Sequence, residues 1–179
     1  MKKILFVCGS LRRDSFNLQL MRYASERLSD FECSFLDYSG LPLLNQDDEF
    51  PSPDAVSRVR RQVEASDAIW IASPEYNHSF SGALKNLLDW LSRPVTPGDY
   101  STAVIRGKLA AVSSAAGSSA GSFSLAALTS LLEMLSCTVV EERTMISLGS
   151  RFSEKQLVLT QEEEQMLDAE CARLRSALI

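Results

Sequence analysis

The sequence has few of the residues that build metal centres. Its 179 residues include one histidine, His78, and four cysteines scattered along the chain without a CxxC pair. A multi-histidine metal site is therefore excluded, and no metal is expected. The cysteines, Cys8, Cys33, Cys137 and Cys171, are typical of buried or incidental thiols in a reducing compartment, not of a disulfide framework. We therefore expect a cytoplasmic protein.

Long apolar runs and excess basic charge are also lacking. The first apolar run, residues 4–8, is shorter than the ~7–15 residues of an export signal, and no stretch approaches the ~20 residues of a membrane span. The net charge is −5, and the only tight basic cluster, Arg58, Arg60 and Arg61, is typical of a solvated helix face. These features argue against a membrane protein and against nucleic acid as a partner.

Short apolar runs alternate with amphipathic segments along the whole chain. Strands are predicted at residues 4–8, 32–38, 68–72, 109–112 and 138–142. Helices are predicted at residues 17–28, after Pro53, around residues 84–91, at residues 122–135, and after a capping box formed by Thr160 and Glu163. This alternation predicts a single α/β domain over residues 1–179, with a five-stranded parallel sheet and helices on both faces.

Three loops follow strands at the carboxyl edge of this predicted sheet. They span residues 9–15, 74–81 and 113–121. In doubly wound sheets, ligands bind outside the carboxyl ends of the strands, where the winding reverses. We therefore expect the three loops to form one binding site.

The first loop does not fit two well-known phosphate-binding patterns. A tyrosine-phosphatase loop has the form C-x5-R, but counting from Cys8 the arginine position is occupied by Asp14. A dinucleotide loop needs G-x-G-x-x-G, and this loop offers only Gly9; a Walker loop needs a GK[ST] ending that is missing.

A cradle for a phosphate monoester remains as the interpretation of this loop. Ser10, Ser15 and Asn17 offer hydroxyl and amide donors, Arg12 offers a charge-assisted contact, and the first helix adds the positive end of its dipole. The simpler alternative, in which Ser15 only caps the helix and the arginines are solvated, stays open on the loop alone.

Longer motifs carry a family resemblance. GSLRRDSFN, residues 9–17, occurs together with PEYN, residues 74–77, and with GALKNLLDWLSRP, residues 82–94. Together they resemble the NADPH-dependent FMN reductase family of flavodoxin-like folds, over most of residues 3–145. The resemblance implies a flavodoxin-like strand order of 2-1-3-4-5 and a bound FMN.

The resemblance also implies which residues hold FMN. The first motif would hold the phosphate, the PEYN turn would contact the isoalloxazine ring, and the loop after the fourth strand would lie along the ring's other side. The implied cofactor-binding residues are Ser10, Arg12, Ser15, Phe16, Asn17, Pro74, Glu75, Tyr76, Asn77, Ser113, Ser114 and Gly117. Because the flavin carries the chemistry, no catalytic side chain is required, and His78 is expected only at the rim.

The activity that the resemblance implies is that of an NAD(P)H-dependent oxidoreductase. Hydride would pass from NAD(P)H through FMN to a quinone, flavin, azo compound or metal oxyanion by a ping-pong mechanism. The alternative is a non-enzymatic electron carrier or redox sensor that binds FMN.

The helix predicted at residues 122–135 bears on assembly, because it is apolar nearly all round and carries Glu133 as its only charge. Such a helix is expected to be buried on more than one side. Pairing of the third and fourth helices about a two-fold axis then predicts a homodimer, or a tetramer built from it. Trp70 is expected in the core, and Trp90 against a partner helix.

Overall fold

Strands and helices alternate as predicted in the computed structural model, which describes all 179 residues. The strands are β1 (Lys3–Cys8), β2 (Glu32–Phe35), β3 (Ala68–Ala72), β4 (Leu109–Ala116), β5 (Thr138–Val139) and β6 (Met145–Ser147). The helices are α1 (Phe16–Arg27), α2 (Asp54–Glu64), α3 (Gly82–Ser92), α4 (Ser122–Met134) and α5 (Gln161–Leu178). No helix has both the length and the apolar character needed to cross a membrane.

The central strands β1 and β3 are largely apolar because each of their faces meets a separate core. In β1, Ile4 and Phe6 point into one core, and Leu5 and Val7 point into the other. The alternation follows from the two-residue period of a strand. Helices α1 and α5 cover the first core, and helices α2, α3 and α4 cover the second. Trp70 lies fully buried in the first core, as predicted.

The sheet is parallel, and its strand order, β2-β1-β3-β4-β5, confirms the predicted order. β1 lies at the point where the winding reverses, since it pairs with β2 on one side and with β3 on the other. Its carboxyl end therefore opens toward the ends of β3 and β4, which are the next strands along the sheet. This arrangement brings the three loops to one edge.

The fifth position of the sheet differs from the prediction of one strand at residues 138–142. Two short strands occupy it in succession: β5 pairs with the first two residues of β4, and β6 pairs with Ser114, Ala115 and Ala116 at its end. Between them the charged residues Glu141, Glu142 and Arg143 interrupt the ladder. A split, charged edge of this kind resists pairing with another sheet.

Two further predictions are wrong in detail. β4 continues to Ala116, so Ser113 and Ser114 lie in a strand and not in the predicted loop of residues 113–121. Their small side chains fit a strand that is buried on both faces. Trp90 is buried within its own chain, not against a partner helix, and its Nε1 donates a hydrogen bond to the carbonyl oxygen of Pro42 at 2.9 Å.

The last helix begins where the capping box was predicted. The Thr160 hydroxyl accepts a hydrogen bond from the Glu163 backbone N–H, and the Glu163 carboxylate accepts one from the Thr160 N–H. The Glu163 carboxylate also accepts hydrogen bonds from both Nη atoms of Arg151. These bonds anchor the short turn Gly149–Ser153 to the start of α5. The connection between β6 and α5 is thereby fixed to the body of the protein.

Candidate active site

A cavity of about 370 Å³ lies at the carboxyl ends of β1, β3 and β4. Nine of the predicted site residues line it: Ser10, Arg12, Ser15, Phe16, Asn17, Pro74, Glu75, Tyr76 and Gly117. The lining also includes Ala115, Ala116, Leu148 and Phe152, which no motif had indicated. Asn77, Ser113 and Ser114 are not among the lining residues. The volume is within the usual range for small-molecule sites, roughly 300–1,000 Å³.

The first wall of the cavity is the loop that leads into α1. Ser15 caps the helix, because its Oγ accepts a hydrogen bond from the Leu18 N–H at 3.4 Å. The backbone N–H groups at the start of a helix have no intrahelical acceptor and carry the positive end of the dipole. Arg12 lies over the Phe16 ring, with its Cζ 5.3 Å from the ring centroid. This wall therefore presents N–H donors and a guanidinium to an anion.

Asn17 ties this wall to the central sheet. Its Nδ2 donates to the Ala115 carbonyl oxygen, and its Oδ1 accepts from the Ala115 N–H, both at 2.9 Å. Only the second N–H of the Asn17 side-chain amide is therefore left to donate to a ligand, as the sequence had predicted for this residue. In this structure Asn17 mainly holds α1 against the end of β4.

The first and second loops are in direct contact. A side-chain carbon at Gly9 would lie 2.9 Å from Cδ of Pro74 and 3.2 Å from the Ala72 carbonyl oxygen, so only glycine fits there without displacement. Ser81, the N-cap of α3, donates its hydroxyl to the Gly9 carbonyl oxygen. The two loops therefore hold each other in position.

The second wall is a tight turn at residues 76–79. The Tyr76 N–H donates to the Ser79 carbonyl oxygen at 2.8 Å, and the Ser79 N–H donates back to Tyr76 at 3.0 Å. Asn77 and His78 have φ values of 52° and 59°, the positive values that a type I′ turn requires at both central positions. Their side chains are exposed, and the His78 ring stacks on Phe123 with centroids 4.2 Å apart. Neither His78 nor Phe123 is among the residues that line the cavity.

Glu75 joins the second loop to the third. Its Oε1 accepts a hydrogen bond from the Ser119 hydroxyl at 2.5 Å, and its Oε2 accepts one from the Ser124 N–H at 3.0 Å, near the start of α4. Desolvation acts to raise the pKa of Glu75, but these hydrogen bonds outweigh it and hold the pKa below its usual value. The ionised Glu75 carboxylate therefore holds the second loop to the third loop and to the start of α4.

The two predicted serines of the third wall are used internally. Ser113 Oγ accepts a hydrogen bond from the Trp70 indole N–H at 2.9 Å, and Ser114 Oγ donates to the Ser73 carbonyl oxygen at 2.7 Å. Both serines are fully buried. A side-chain carbon at Gly121, which has φ of 85°, would lie 2.0 Å from Ser114 Oγ. The third loop thus packs on these serines, while Gly117 reaches the cavity.

The residues that sequence reasoning missed come from the connection after β6. Phe152 faces Phe16 with ring centroids 6.3 Å apart, and Leu148 lies beside the end of β4 through a hydrogen bond from its N–H to the Ala116 carbonyl oxygen. No local motif marks this segment. It reaches the cavity because β6 runs along the end of β4.

Cys8 has neither the partners nor the ionisation that a phosphatase nucleophile needs. Burial raises the pKa of its thiol, which lies 3.7 Å from Ser15 Oγ. A nucleophilic cysteine requires a lowered pKa and a cationic partner. Asp14, at the position of the phosphatase arginine, is exposed and does not line the cavity.

The donor set fits the two ends of FMN. The first wall combines hydroxyls, a guanidinium and the start of a helix with no acidic residue in its first turn, which suits a phosphate monoester. The turn at the other side presents backbone groups and the exposed Tyr76, which suit the edge of a flat heterocycle. Ala115 and Ala116, the small residues at the end of β4, line the space between the two ends.

The strand order and the ligand-facing edge define a flavodoxin-like α/β protein. The model of the NADPH-dependent FMN reductase family matches residues 2–150, and the chain belongs to that family. Members of this family depend on NADPH and are named for FMN, which is the cofactor that the site chemistry fits.

Individual relatives agree with this family. A 2-hydroxy-1,4-benzoquinone reductase from Burkholderia sp is 50% identical over 93 residues, which is 51% of this chain and 51% of the relative. A probable NADPH:quinone oxidoreductase 2 from Oryza sativa subsp. japonica is 42% identical over 129 residues, 69% of this chain and 60% of the relative. The chain therefore matches about half to three fifths of the length of these curated relatives.

A solved structure matches nearly the whole chain. FerB, a flavoenzyme NAD(P)H:(acceptor) oxidoreductase from Paracoccus denitrificans, superposes with a TM-score of 0.83 at 27% identity. The match covers 98% of each chain.

Proposed function

We propose that residues 1–179 form one FMN-binding domain that acts as an NAD(P)H-dependent oxidoreductase on small acceptors. The observation that supports this most directly is a single cavity lined both by the loop that leads into α1 and by residues 74–76 of the second loop. We take quinones as the acceptor class, because two of the relatives described above are named as quinone reductases. Flavins, azo compounds and metal oxyanions are further candidates for the same open site.

Different residues of the cavity would bind the two ends of the cofactor. Ser10, Arg12 and the N–H groups at the start of α1 would bind the phosphate, and the backbone around Glu75 and Tyr76 would bind the ring edge. Bound FMN supplies two-electron transfer from NAD(P)H to an acceptor, in the two half-reactions of a ping-pong scheme. The chain itself contributes binding, orientation and an exposed rim on which a flat acceptor can stack. None of its side chains needs to act as a nucleophile.

We also propose that the protein is a cytoplasmic homodimer. In the single chain, α4 buries Leu125, Leu128 and Leu132, while its opposite face leaves Phe123 50% exposed and Met134 67% exposed. A second copy covering that face would bury both apolar side chains. Light scattering at micromolar concentration tests the proposal: wild type should be a dimer and Met134→Glu should shift toward monomer. A monomeric wild type would contradict it.

The experiment that tests the activity is anaerobic mixing of the FMN-loaded protein with NADPH. An oxidoreductase should lose its yellow absorbance rapidly and recover it when a benzoquinone is added. Initial rates at varied NADPH and quinone should give parallel double-reciprocal lines. A flavin that stays oxidised in excess NADPH and excess NADH would instead indicate the carrier or sensor alternative.

A further inference from the structure

A second cavity, of about 300 Å³, lies between α2 and the segment that precedes β4. It shares no lining residue with the cavity at the carboxyl edge of the sheet. Its apolar walls come from Phe50, Pro51, Val95 and Val104. Its volume is at the lower end of the range for small-molecule sites, roughly 300–1,000 Å³.

Arg60, on α2, lines this cavity and is only 6% exposed. Its Nη2 donates to the Trp90 carbonyl oxygen at 3.2 Å, while its Nε has no hydrogen-bond partner. Burial lowers the pKa of Arg60, although the nearby Glu49 acts in the opposite direction. A buried guanidinium that meets a single neutral acceptor is costly, because its hydration has been lost without full replacement.

Glu49 does not serve as the dedicated partner of Arg60. Its Oε2 accepts a hydrogen bond from Arg93 Nη2 at 3.2 Å, and its Oε1 is in close contact with Arg93 Nε. Glu49 is itself 6% exposed, so this pair is largely buried. Two guanidinium groups and one carboxylate leave one positive charge uncompensated in the cluster.

The remaining polar groups of the cavity fit a compact monoanion. Ser52 and Ser57 lie with their hydroxyl oxygens 2.9 Å apart, and Arg61 stands at the exposed rim. Glu64 is also at the rim and, with Glu49, disfavours a ligand that carries two negative charges. The apolar walls in turn favour a ligand with an apolar body over a bare inorganic ion.

We propose that this cavity binds a small carboxylate with an apolar body, whose carboxylate pairs with Arg60 and whose body lies against Val95 and Val104. A planar guanidinium matches a carboxylate through parallel N–H···O bonds, which lysine cannot reproduce. The site is separate from the proposed flavin site, so it does not depend on the proposed oxidoreductase activity.

The test uses benzoate as the probe and benzyl alcohol as a neutral molecule of similar shape. Each is titrated into the FMN-loaded protein, and binding is followed by calorimetry and by amide NMR. Benzoate should bind saturably and benzyl alcohol about tenfold or more weakly. Arg60→Lys should weaken benzoate binding about tenfold, since it keeps the charge and loses the paired donors. Circular dichroism and thermal melting check that this variant is folded.

Arg58 and Arg61, two exposed arginines on α2, allow a second comparison in which neither substitution disturbs the core. Arg61→Glu should weaken benzoate binding by repulsion at the rim, while Arg58→Glu, the same change outside the cavity, should leave it unaltered. The amide shifts that benzoate causes should lie on α2 and not on residues 10–17, which border the other cavity. The proposal is overturned by an absence of saturable binding, by equal binding of benzyl alcohol, or by equal weakening in Arg58→Glu and Arg61→Glu.

Discussion

Asn17 and Ala115 are 98 positions apart and exchange two hydrogen bonds of 2.9 Å at the base of the cofactor cavity. The Asn17 amide thereby acts as a substitute strand neighbour for the end of β4. Because both Ala115 backbone groups are buried, they have no ready replacement in water.

Asn17→Ala should therefore lower the free energy of unfolding by about 2–4 kcal/mol, since it removes two hydrogen bonds and leaves two buried backbone groups unpaired. Chemical denaturation monitored by circular dichroism measures the change. Asn17→Asp keeps the acceptor for the Ala115 N–H but sets a buried carboxylate oxygen against the Ala115 carbonyl oxygen, so it should also destabilise the fold, and its negative charge should weaken FMN binding. Equal stability of wild type and Asn17→Ala would contradict this account of the contact.

Gly9→Ala should weaken FMN binding about tenfold, because the added carbon would lie 2.9 Å from Pro74 and push the first two loops apart. Quenching of flavin fluorescence on titration gives the dissociation constant. Gly40→Ala is the matched control, since a side-chain carbon there meets nothing within 4 Å. An unchanged constant in Gly9→Ala would show that the loops can separate without cost.

Arg151→Ala should increase the rate of FMN dissociation, because it frees the turn that carries Phe152 from its anchor at Glu163. Stopped-flow recovery of flavin fluorescence on dilution measures this rate. Arg173→Ala removes an exposed 3.5 Å ion pair with Glu142, neither partner of which lines the cavity, and should leave the rate unchanged. Identical rates in both variants would argue that Phe152 does not contribute to holding the cofactor.

Glu170 predicts a pH dependence of stability. It is fully buried on α5, and burial raises its pKa to about 8 even though its Oε2 accepts a hydrogen bond from the Thr144 N–H at 2.7 Å. Its ordinary value is 4.5, so between pH 4.5 and about 8 the folded state holds a proton that the unfolded state has released. Stability therefore falls as the pH rises through this window, by on the order of a few kcal/mol.

Glu170→Gln is the variant that isolates this effect. It keeps an acceptor for Thr144 and cannot ionise, so the decline in unfolding free energy between pH 5 and pH 8 should become shallower. Denaturation midpoints at several pH values provide the measurement. The interpretation fails if wild type and variant show the same slope.

His78→Gln should leave NADPH–quinone turnover within a few-fold of wild type, because His78 stacks on Phe123 and does not line the cavity, and the two-electron chemistry needs no acid from the chain. Steady-state kinetics with a benzoquinone measures this. A loss of several orders of magnitude in kcat, with FMN retained, would instead make His78 a catalytic proton donor.

The sequence predicted the centre of the sheet well because β1 and β3 are buried on both faces and form nearly unbroken apolar runs, as in residues 68–72. It placed the end of β4 too early, because Ser113 and Ser114 look like loop residues until Trp70 and Ser73 are seen to bond with them. It could not find Phe152, since that residue reaches the cavity only through the pairing of β6 with β4. Local pattern identifies elements and turns, whereas contacts made by distant segments require the fold.

The position of Phe152 also matters for how this pocket can diversify. It lies just past residue 150, where the matched family region ends, and is therefore outside the motifs that we propose hold the phosphate and the ring edge. Substitutions in this short stretch can change the shape of one side of the cavity while the family motifs stay unchanged. The short turn Gly149–Ser153 is thus a practical place to adjust cofactor affinity by directed evolution.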